Sequence, residues 1–206
     1  MRYRLSHDFL AMATLAFYDD RHVYELDGVK IPSVSEVLRF GSREVYGTVD
    51  QYTLDNAADR GTRVHAACEA LDATGACEVE EDIVPYISAY KSFLSDHGPQ
   101  WVATERAVYH MDKWYAGRLD RYGVLRDKNC ILDIKTTLKI EKRLVVPQLT
   151  AYAQAWEAMG GAPVQSLYVL QLRKDGTYKL RSMDRDDALW DAYLRLHESF
   201  KKRNER

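Results

Sequence analysis

The hydrophobic periodicity of the 206-residue chain changes near Pro99. Before this point, residues 54–73 and 83–97 repeat apolar side chains at intervals of three and four residues, which predicts two helices. After it come three segments rich in Val, Tyr, Ile and Leu, separated by turn-like sequences: 104–110, 114–125 and 130–135. We interpret these segments as three strands of a meander. A chain of this kind must pack helices against a sheet.

After residue 135 the chain alternates between segments with a helical pattern and segments with a strand pattern. A helix is predicted to open at Pro147 and to stop at Met159, before a pair of glycines. Two strands follow at 166–172 and 177–182, and an amphipathic helix covers 186–202. This order predicts an α/β fold in which one central mixed sheet is flanked by helices.

The first 50 residues have a different character. Residues 22–31 alternate apolar and polar side chains around Asp27-Gly28, which predicts a hairpin with a type I′ turn. Ser33 or Ser35 is then expected to cap a short helix. Residues 10–17 are interpreted as an amphipathic helix rather than a signal peptide. We therefore expect a single domain over 1–206, with a helical and hairpin region at 1–50 and a core at 51–206.

Composition excludes several classes of protein and of partner. Hydrophobic residues make up 46% of the chain and charged residues 29%, which excludes a disordered chain, a collagen and a coiled coil. The 29 basic and 31 acidic residues create no global basic field, so a nucleic acid would need a local patch or a metal. Three cysteines without metal-ligand spacing indicate a reduced, cytoplasmic protein. No apolar run reaches the ~20 residues that span a membrane.

Charged residues interrupt two of the predicted strands. Asp120 lies in an otherwise apolar strand, and Asp133 and Lys135 lie two residues apart in the next one, so that they share a face. Two carboxylates and a lysine on adjacent strands can form a catalytic centre. Taken alone, however, such a pattern is more often a plain ion pair.

Three further positions have two interpretations each. His65 lies on the buried stripe of its helix, where a lone histidine is more often a core residue than a metal ligand. Glu105 opens a strand and is either a surface residue or a member of a site. Gln148 and Tyr152 share one helix face at i and i+4, although Tyr152 also fits the core of that helix.

The order of these features resembles a known family. The segment 61–65, Gly-Thr-Arg-Val-His, is followed by Glu105, by Gly117-x-x-Asp120, by Asp133-x-Lys135 and by Gln148-x-x-x-Tyr152. This series resembles the PD-(D/E)XK nuclease superfamily, and more narrowly its RecB-like exonuclease branch. The hairpin and the following Ile31-Pro-Ser-Val-Ser35 are similar to phage and prophage members. The resemblance spans roughly residues 22–156. Two departures are Leu119, where the superfamily's name has proline, and Asp133, where glutamate is commoner.

The resemblance implies a restriction-endonuclease-like core and a set of site residues. Mg²⁺ or Mn²⁺ would be held by His65, Asp120, Asp133 and the main-chain carbonyl of Ile134. Lys135 would orient or deprotonate the water nucleophile, and Glu105 would support a second metal or a water. Gln148 and Tyr152 would lie near the lysine and the DNA backbone. No iron–sulfur cluster is expected, because no cysteine follows Cys130.

The implied activity is divalent-metal-dependent exonucleolytic hydrolysis of linear DNA with free ends. It would serve recombination, repair or DNA processing in the cytoplasm of a bacterial or phage-infected cell, with a recombination or repair protein as a further possible partner. The rivals are a structure-specific or restriction-like endonuclease and an inactive DNA-end-binding protein. DNA contacts are expected from five basic residues: Arg60, Arg63, Lys139, Lys142 and Arg143.

Overall fold

A computed structural model describes residues 14–18 and 23–204. The strands are β1 Leu15–Tyr18, β2 Val23–Leu26, β3 Val29–Ile31, β4 Gln100–His110, β5 Tyr115–Leu125, β6 Lys128–Lys135, β7 Ser166–Leu172 and β8 Tyr178–Met183. The helices are α1 Val34–Val37, α2 Arg39–Tyr46, α3 Gln51–Thr74, α4 Val84–His97, α5 Lys142–Ala158 and α6 Asp187–Asn204. Within these described ranges, no helix has the length and apolar character needed to cross a bilayer.

The predicted α/β fold with a mixed central sheet is confirmed. Five strands form the sheet in the order β4-β5-β6-β7-β8. Only β6 and β7 run parallel, since α5 carries the chain from one to the other, and the remaining neighbours are antiparallel. The sheet is therefore a meander extended by one crossover and one hairpin, and its central strand is β6.

Two hydrophobic cores lie on the two sides of this sheet. Helix α5, with α1 and the buried Trp190 of α6, packs on Leu119, Tyr122 and Ile131. Helices α3 and α4 pack against Leu132, Ile134 and residues of β7. Because successive strand residues point to opposite faces, Leu132 and Ile134 enter the second core while Asp133 and Lys135 point away from it.

The N-terminal region confirms the hairpin and corrects the first predicted helix. Asp27 and Gly28 both have positive φ, at 50° and 79°, as a type I′ turn requires, and Ser33 caps α1. Where a helix was expected over 10–17, Leu15–Tyr18 is instead a strand that pairs with β2. Residues 10–13 of that prediction lie outside the described residues. Pairing with β2 favours a strand over a helix, because it lets Phe17 stack on Tyr24 with ring centroids 4.5 Å apart.

Helix α5 begins five residues earlier than predicted, so Pro147 lies inside it rather than at its start. A proline in a helix cannot donate to the carbonyl four residues earlier, which here is that of Arg143. The hydroxyl of Tyr193 in α6 donates to this Arg143 carbonyl at 3.4 Å. The early start of α5 is thus supported by its packing on α6, which local sequence does not reveal.

Candidate active site

A cleft of about 670 Å³ opens at the carboxyl end of β6, between α3 and α5. The structure brings to its walls all eight of the residues predicted as catalytic or metal-binding: His65, Glu105, Asp120, Asp133, Ile134, Lys135, Gln148 and Tyr152. These residues come from α3, three neighbouring strands and α5.

Asp120 occupies the point where β5 and β6 separate. The paired residues of these strands run from Leu125↔Lys128 to Arg121↔Leu132. Beyond that pair, the Asp120 Oδ2 atom accepts a hydrogen bond from the Ile134 backbone N–H at 2.6 Å. A side-chain carboxylate therefore replaces a main-chain acceptor, and it fixes Asp120 beside the end of β6. Asp120 and Asp133 are both buried, with 8% and 1% of their surface exposed.

His65 and Glu105 complete a group of potential metal donors. His65 Nε2 lies 3.0 Å from the Ile134 carbonyl oxygen, and Nδ1 lies 3.3 Å from Glu105 Oε1 and 3.7 Å from Asp120 Oδ2. One donor atom from each of His65, Glu105 and Asp120 lies within 4.8 Å of the other two. A buried His/Glu/Asp group of this kind can bind a metal ion. Sequence reasoning assigned Glu105 a supporting role, whereas the structure places it inside the group.

The backbone at Glu105 is held in an unusual conformation. Its φ is 44°, in the left-handed region that non-glycine residues rarely adopt. A register shift between Trp101 and Ala103 disturbs the same strand just before it. Such strain costs on the order of 1–3 kcal/mol and is concentrated at functional sites. Here it accompanies a carboxylate whose two oxygens contact three cationic side chains: His65, Arg118 and Arg121.

The electrostatics of this group favour positive charge. Burial alone would lower the pKa of His65, but the Asp120 and Glu105 carboxylates outweigh it and raise the pKa to about 9. Burial raises the pKa of Glu105, whereas His65 and the arginines beyond it more than compensate and hold the pKa below its usual value. The imidazolium therefore occupies a position where a bound cation would also be stabilised.

Asp133 and Lys135 form the second half of the site. Lys135 Nζ donates to Asp133 Oδ1 at 2.9 Å and lies 2.9 Å from Oδ2, which is buried and has no well-directed hydrogen bond. Burial raises the pKa of Asp133 to about 6, and the nearby Lys135 only partly opposes this shift. Burial would lower the pKa of Lys135, but Asp133 and Asp120 prevail and raise it. A buried carboxylate oxygen that forms no hydrogen bond, with the Asp120 carboxylate close enough to raise its pKa, fits a hard divalent cation.

Gln148 and Tyr152 extend this arrangement along α5. Gln148 accepts a hydrogen bond from Lys135 Nζ at 3.2 Å and donates one to the Tyr152 hydroxyl at 3.3 Å. Tyr152 is also part of the core, as its alternative interpretation required. A Cβ at Gly117 would lie 2.6 Å from the Tyr152 ring, so the glycine of the Gly117-x-x-Asp120 motif makes room for this tyrosine.

Sequence reasoning assigned no role to Arg121, although it connects the site to its scaffold. This arginine is fully buried, and its guanidinium donates to Asp72 Oδ2 at 2.7 Å and to Glu105 Oε1 at 3.1 Å. The Tyr90 hydroxyl donates to the same Asp72 carboxylate. A second arginine in a largely apolar strand was the available signal, but its partner Asp72 lies 49 positions earlier in the sequence.

The five predicted DNA contacts do not line the cleft. Arg63 is instead engaged by three carboxylates, those of Asp59, Glu80 and Asp82, at 2.8–3.0 Å. Arg60 lies in a separate groove. Lys139 pairs with Glu141, and Lys142 and Arg143 are exposed in the first turn of α5. The cation that does line the cleft beside Lys135 is Arg118, which sequence reasoning left unassigned.

Comparison with known proteins gives a limited result. No family model matched the sequence, and neither did any of the curated proteins compared with it. Among solved structures, the alkaline exonuclease LHK-Exo from Laribacter hongkongensis aligns over 84% of this chain and 92% of its own, with 16% identity and a TM-score of 0.42. LHK-Exo in complex with dAMP aligns over 85% and 93%, with 18% identity and a TM-score of 0.41. Values this low do not assign the chain to a family.

Proposed function

We propose that this protein is a divalent-metal-dependent deoxyribonuclease of the PD-(D/E)XK superfamily, of the RecB-like, phage type, that degrades linear DNA from its ends. Its role would be in recombination, repair or DNA processing in the cytoplasm of a bacterium or an infected host cell. The proposal takes residues 1–206 as one nuclease domain, with 1–50 as an N-terminal region and 51–206 as the catalytic core.

The observation that supports this function best is the meeting of Asp120, Asp133 and Lys135 in one cleft. Phosphodiester hydrolysis needs a water nucleophile, an in-line approach and neutralisation of developing negative charge. Two buried carboxylates alone would repel a phosphate. With a lysine beside them and His65 and Glu105 opposite, they form a donor set that a cation would neutralise, so that the anionic substrate can enter.

Mg²⁺ or Mn²⁺ would be held by Asp120, His65 and Glu105, whose donor atoms lie within 4.8 Å of one another. Asp133, with its buried Oδ2 atom, and the Ile134 carbonyl would be the further ligands. When bound, such an ion supplies Lewis-acid stabilisation of the phosphate and a water of lowered pKa. Hard oxygen ligands suit Mg²⁺, and an imidazole ligand moves the preference toward Mn²⁺. His65 must lose its proton to act as a donor, so metal affinity should fall at low pH.

Lys135 supplies the cationic contact of this mechanism. Its pKa is raised by Asp133 and Asp120, so its ammonium group is charged at neutral pH in the metal-free protein. A charged lysine stabilises the phosphate and orients the attacking water. A cation bound to Asp120 and Asp133 would offset the charges that raise this pKa, and the lysine would then be able to accept the proton of that water. Gln148 holds the ammonium group at 3.2 Å from the α5 side. Arg118 is a second cation at the cleft wall, where its Nε atom lies 3.3 Å from Glu105 Oε2.

The direct test incubates the protein with end-labelled linear DNA and with covalently closed circular DNA, in Mg²⁺, Mn²⁺ or EDTA. We expect the linear DNA to lose its label and the circle to persist, and EDTA to stop the reaction. Rapid linearisation of the circle would identify an endonuclease instead. Binding of ends without cleavage would identify an inactive end-binding protein, and undiminished activity in EDTA would exclude the metal.

A further inference from the structure

A second groove adjoins the cleft and carries a concentration of positive charge. It has a volume of about 250 Å³, and five cationic side chains line it without any carboxylate: Arg60, Arg173, Lys174, Lys179 and Arg181. The chain as a whole has a net charge of −2, so this groove is a local exception. We refer to it below as the basic groove.

The cations of the basic groove are largely without acidic partners. Among the described residues, Lys174 and Lys179 form no ion pair, and the Arg60 Nε atom is buried without a hydrogen-bond acceptor. Arg181 donates to the neutral Gln171 side chain at 3.2 Å. Arg173 alone contacts a carboxylate, that of Asp175 at 3.5 Å in the adjacent turn. An anion from outside the chain would therefore meet little competition.

The basic groove continues the face of the sheet on which the site lies. Lys135 of β6 pairs with Gln171 of β7, which in turn pairs with Lys179 of β8. Residues directly opposite one another across strands project to the same face. Lys179 thus follows Lys135 in one row, two strands away, or about 10 Å at the usual strand spacing.

The cleft and the groove also share a wall. Thr136 and Thr137 line both. The buried Gln171 side chain donates to the carbonyls of Thr137 and Leu138 at 2.7 and 2.8 Å, which fixes the segment that separates them. A chain of phosphates that enters at Lys135 can therefore pass over this segment to Lys179.

We propose that the basic groove binds the sugar–phosphate backbone of the strand being cut, about one to two nucleotides from the scissile phosphate. This inference rests on the proposed nuclease function. The small volume suits one backbone and is below the ~300 Å³ at which pockets for drug-sized ligands begin. The contact would be independent of sequence, because lysine and arginine side chains recognise phosphate rather than base edges.

The test uses Lys174→Gln/Lys179→Gln, since both side chains are exposed and form no ion pair with any described residue. The control is Lys201→Gln/Lys202→Gln, which removes two exposed cations at the end of α6. Binding of a fluorescent 20-nucleotide single strand is measured in EDTA by anisotropy over a range of salt. Turnover is measured in Mn²⁺ on the same strand and on bis(p-nitrophenyl) phosphate, which is too short to reach the groove.

Loss of two phosphate contacts should weaken strand binding about tenfold near 0.15 M salt and reduce the salt slope by about 1.4. Because the strand binds more weakly, its KM should rise. Turnover of bis(p-nitrophenyl) phosphate should stay within about twofold of the wild-type value. An unchanged affinity and salt slope in the groove variant, or the same loss in the control variant, would contradict the proposal that the basic groove binds the strand. Strong competition by millimolar inorganic phosphate at constant ionic strength would also overturn it, in favour of a small-anion site.

The groove and the nuclease function can fail separately. If the wild-type protein cleaves DNA but the groove variant binds and cleaves like it, the groove is wrong and the function stands. If the wild-type protein cleaves neither substrate but the groove variant alone binds the strand more weakly, the nuclease function is wrong, and the groove is a strand-binding site without a scissile phosphate beside it.

Discussion

Two clusters of buried charge lie back to back at β5, and they differ in how their charges are met. In the scaffold cluster, Arg121 bridges Asp72 and Glu105, and Tyr90 contacts both oxygens of Asp72. In the cleft, Glu105, Asp120 and Asp133 are opposed by Lys135 and by His65, which is cationic only when protonated. Each cluster retains one buried atom without a hydrogen bond, Nη2 of Arg121 and Oδ2 of Asp133, so the difference between them lies in charge. Arg121 and Asp72 balance each other in charge and stabilise the fold. The three carboxylates of the cleft outnumber its cations when His65 is neutral, and such an excess of negative charge is suited to bind a cation.

The largest expected effect is the loss of activity when the excess negative charge is removed. Asp133→Ala or Asp120→Ala should reduce DNA cleavage by about 10³-fold or more, because such carboxylates hold the ion that stabilises the transition state. The proteins should remain folded, as judged by circular dichroism. Asp112→Asn, in an exposed turn, serves as the control. Wild-type cleavage by Asp133→Ala would remove the functional distinction between the two clusters.

Lys135→Ala tests the cation of the cleft. We expect a loss of about 10²–10⁴-fold in kcat, because a positioned group at the reacting phosphate contributes on that order. Binding of Mn²⁺ and of DNA should persist, since Lys135 contacts the metal-binding carboxylate rather than forming part of the donor set. Calorimetry and a DNA titration measure both. Near-wild-type turnover would mean that Lys135 is only the ion-pair partner of Asp133.

Arg121→Met tests the scaffold cluster. Removing one partner of a buried ion pair leaves an uncompensated charge, so the free energy of unfolding should fall by about 3–5 kcal/mol in urea titrations. Arg121→Met/Asp72→Leu should recover part of this loss, because neither of these two charges remains, although Glu105 still loses one cation and the Tyr90 hydroxyl loses its acceptor. Arg63→Met breaks pairs with exposed carboxylates, which solvent screens, so it should lower the free energy of unfolding much less than Arg121→Met. Equal losses for Arg63→Met and Arg121→Met would contradict the assignment of Arg121 to the scaffold.

The smallest effect concerns pH and His65. In EDTA, the folded-state pKa of His65 is about 9, above its ordinary value of 6.5. Protonated His65 therefore contributes its full stabilisation of the fold below pH 6.5. This contribution to the free energy of unfolding is lost as pH rises through about 9, by up to about 3 kcal/mol. Thermal unfolding between pH 6.5 and 9.5 should show this decline, and His65→Gln should flatten it. This window excludes Asp133, which titrates near pH 6.

Local sequence signals predicted most of the elements but not how distant charges combine. The Asp27-Gly28 hairpin, the long helix containing His65 and the strands carrying Asp120 and Asp133 follow from turn chemistry and periodicity, which are local. The strand at Leu15–Tyr18 and the early start of α5 depend on pairing with β2 and on Tyr193, so their sequences alone suggested otherwise.

The candidate site shows the same division. Asp120, Asp133 and Lys135 could be found because a charge inside an apolar strand is conspicuous. Arg63 and Arg60 look alike in sequence, yet one is neutralised by Glu80 and Asp82 from a loop 17–19 residues away, and the other lines the basic groove. Which basic residues remain available to DNA is thus decided by tertiary contacts.

The most direct test of the difference between the two clusters is calorimetric titration of the apo protein with Mn²⁺ at pH 7.5. We predict saturable binding to the wild type, release of a proton as His65 becomes a ligand, and loss of that binding in Asp120→Asn, while Asp72→Asn still binds. Proton release is read from the dependence of the binding heat on the buffer's ionisation enthalpy. Absence of binding to the wild type, or undiminished binding to Asp120→Asn, would contradict the account.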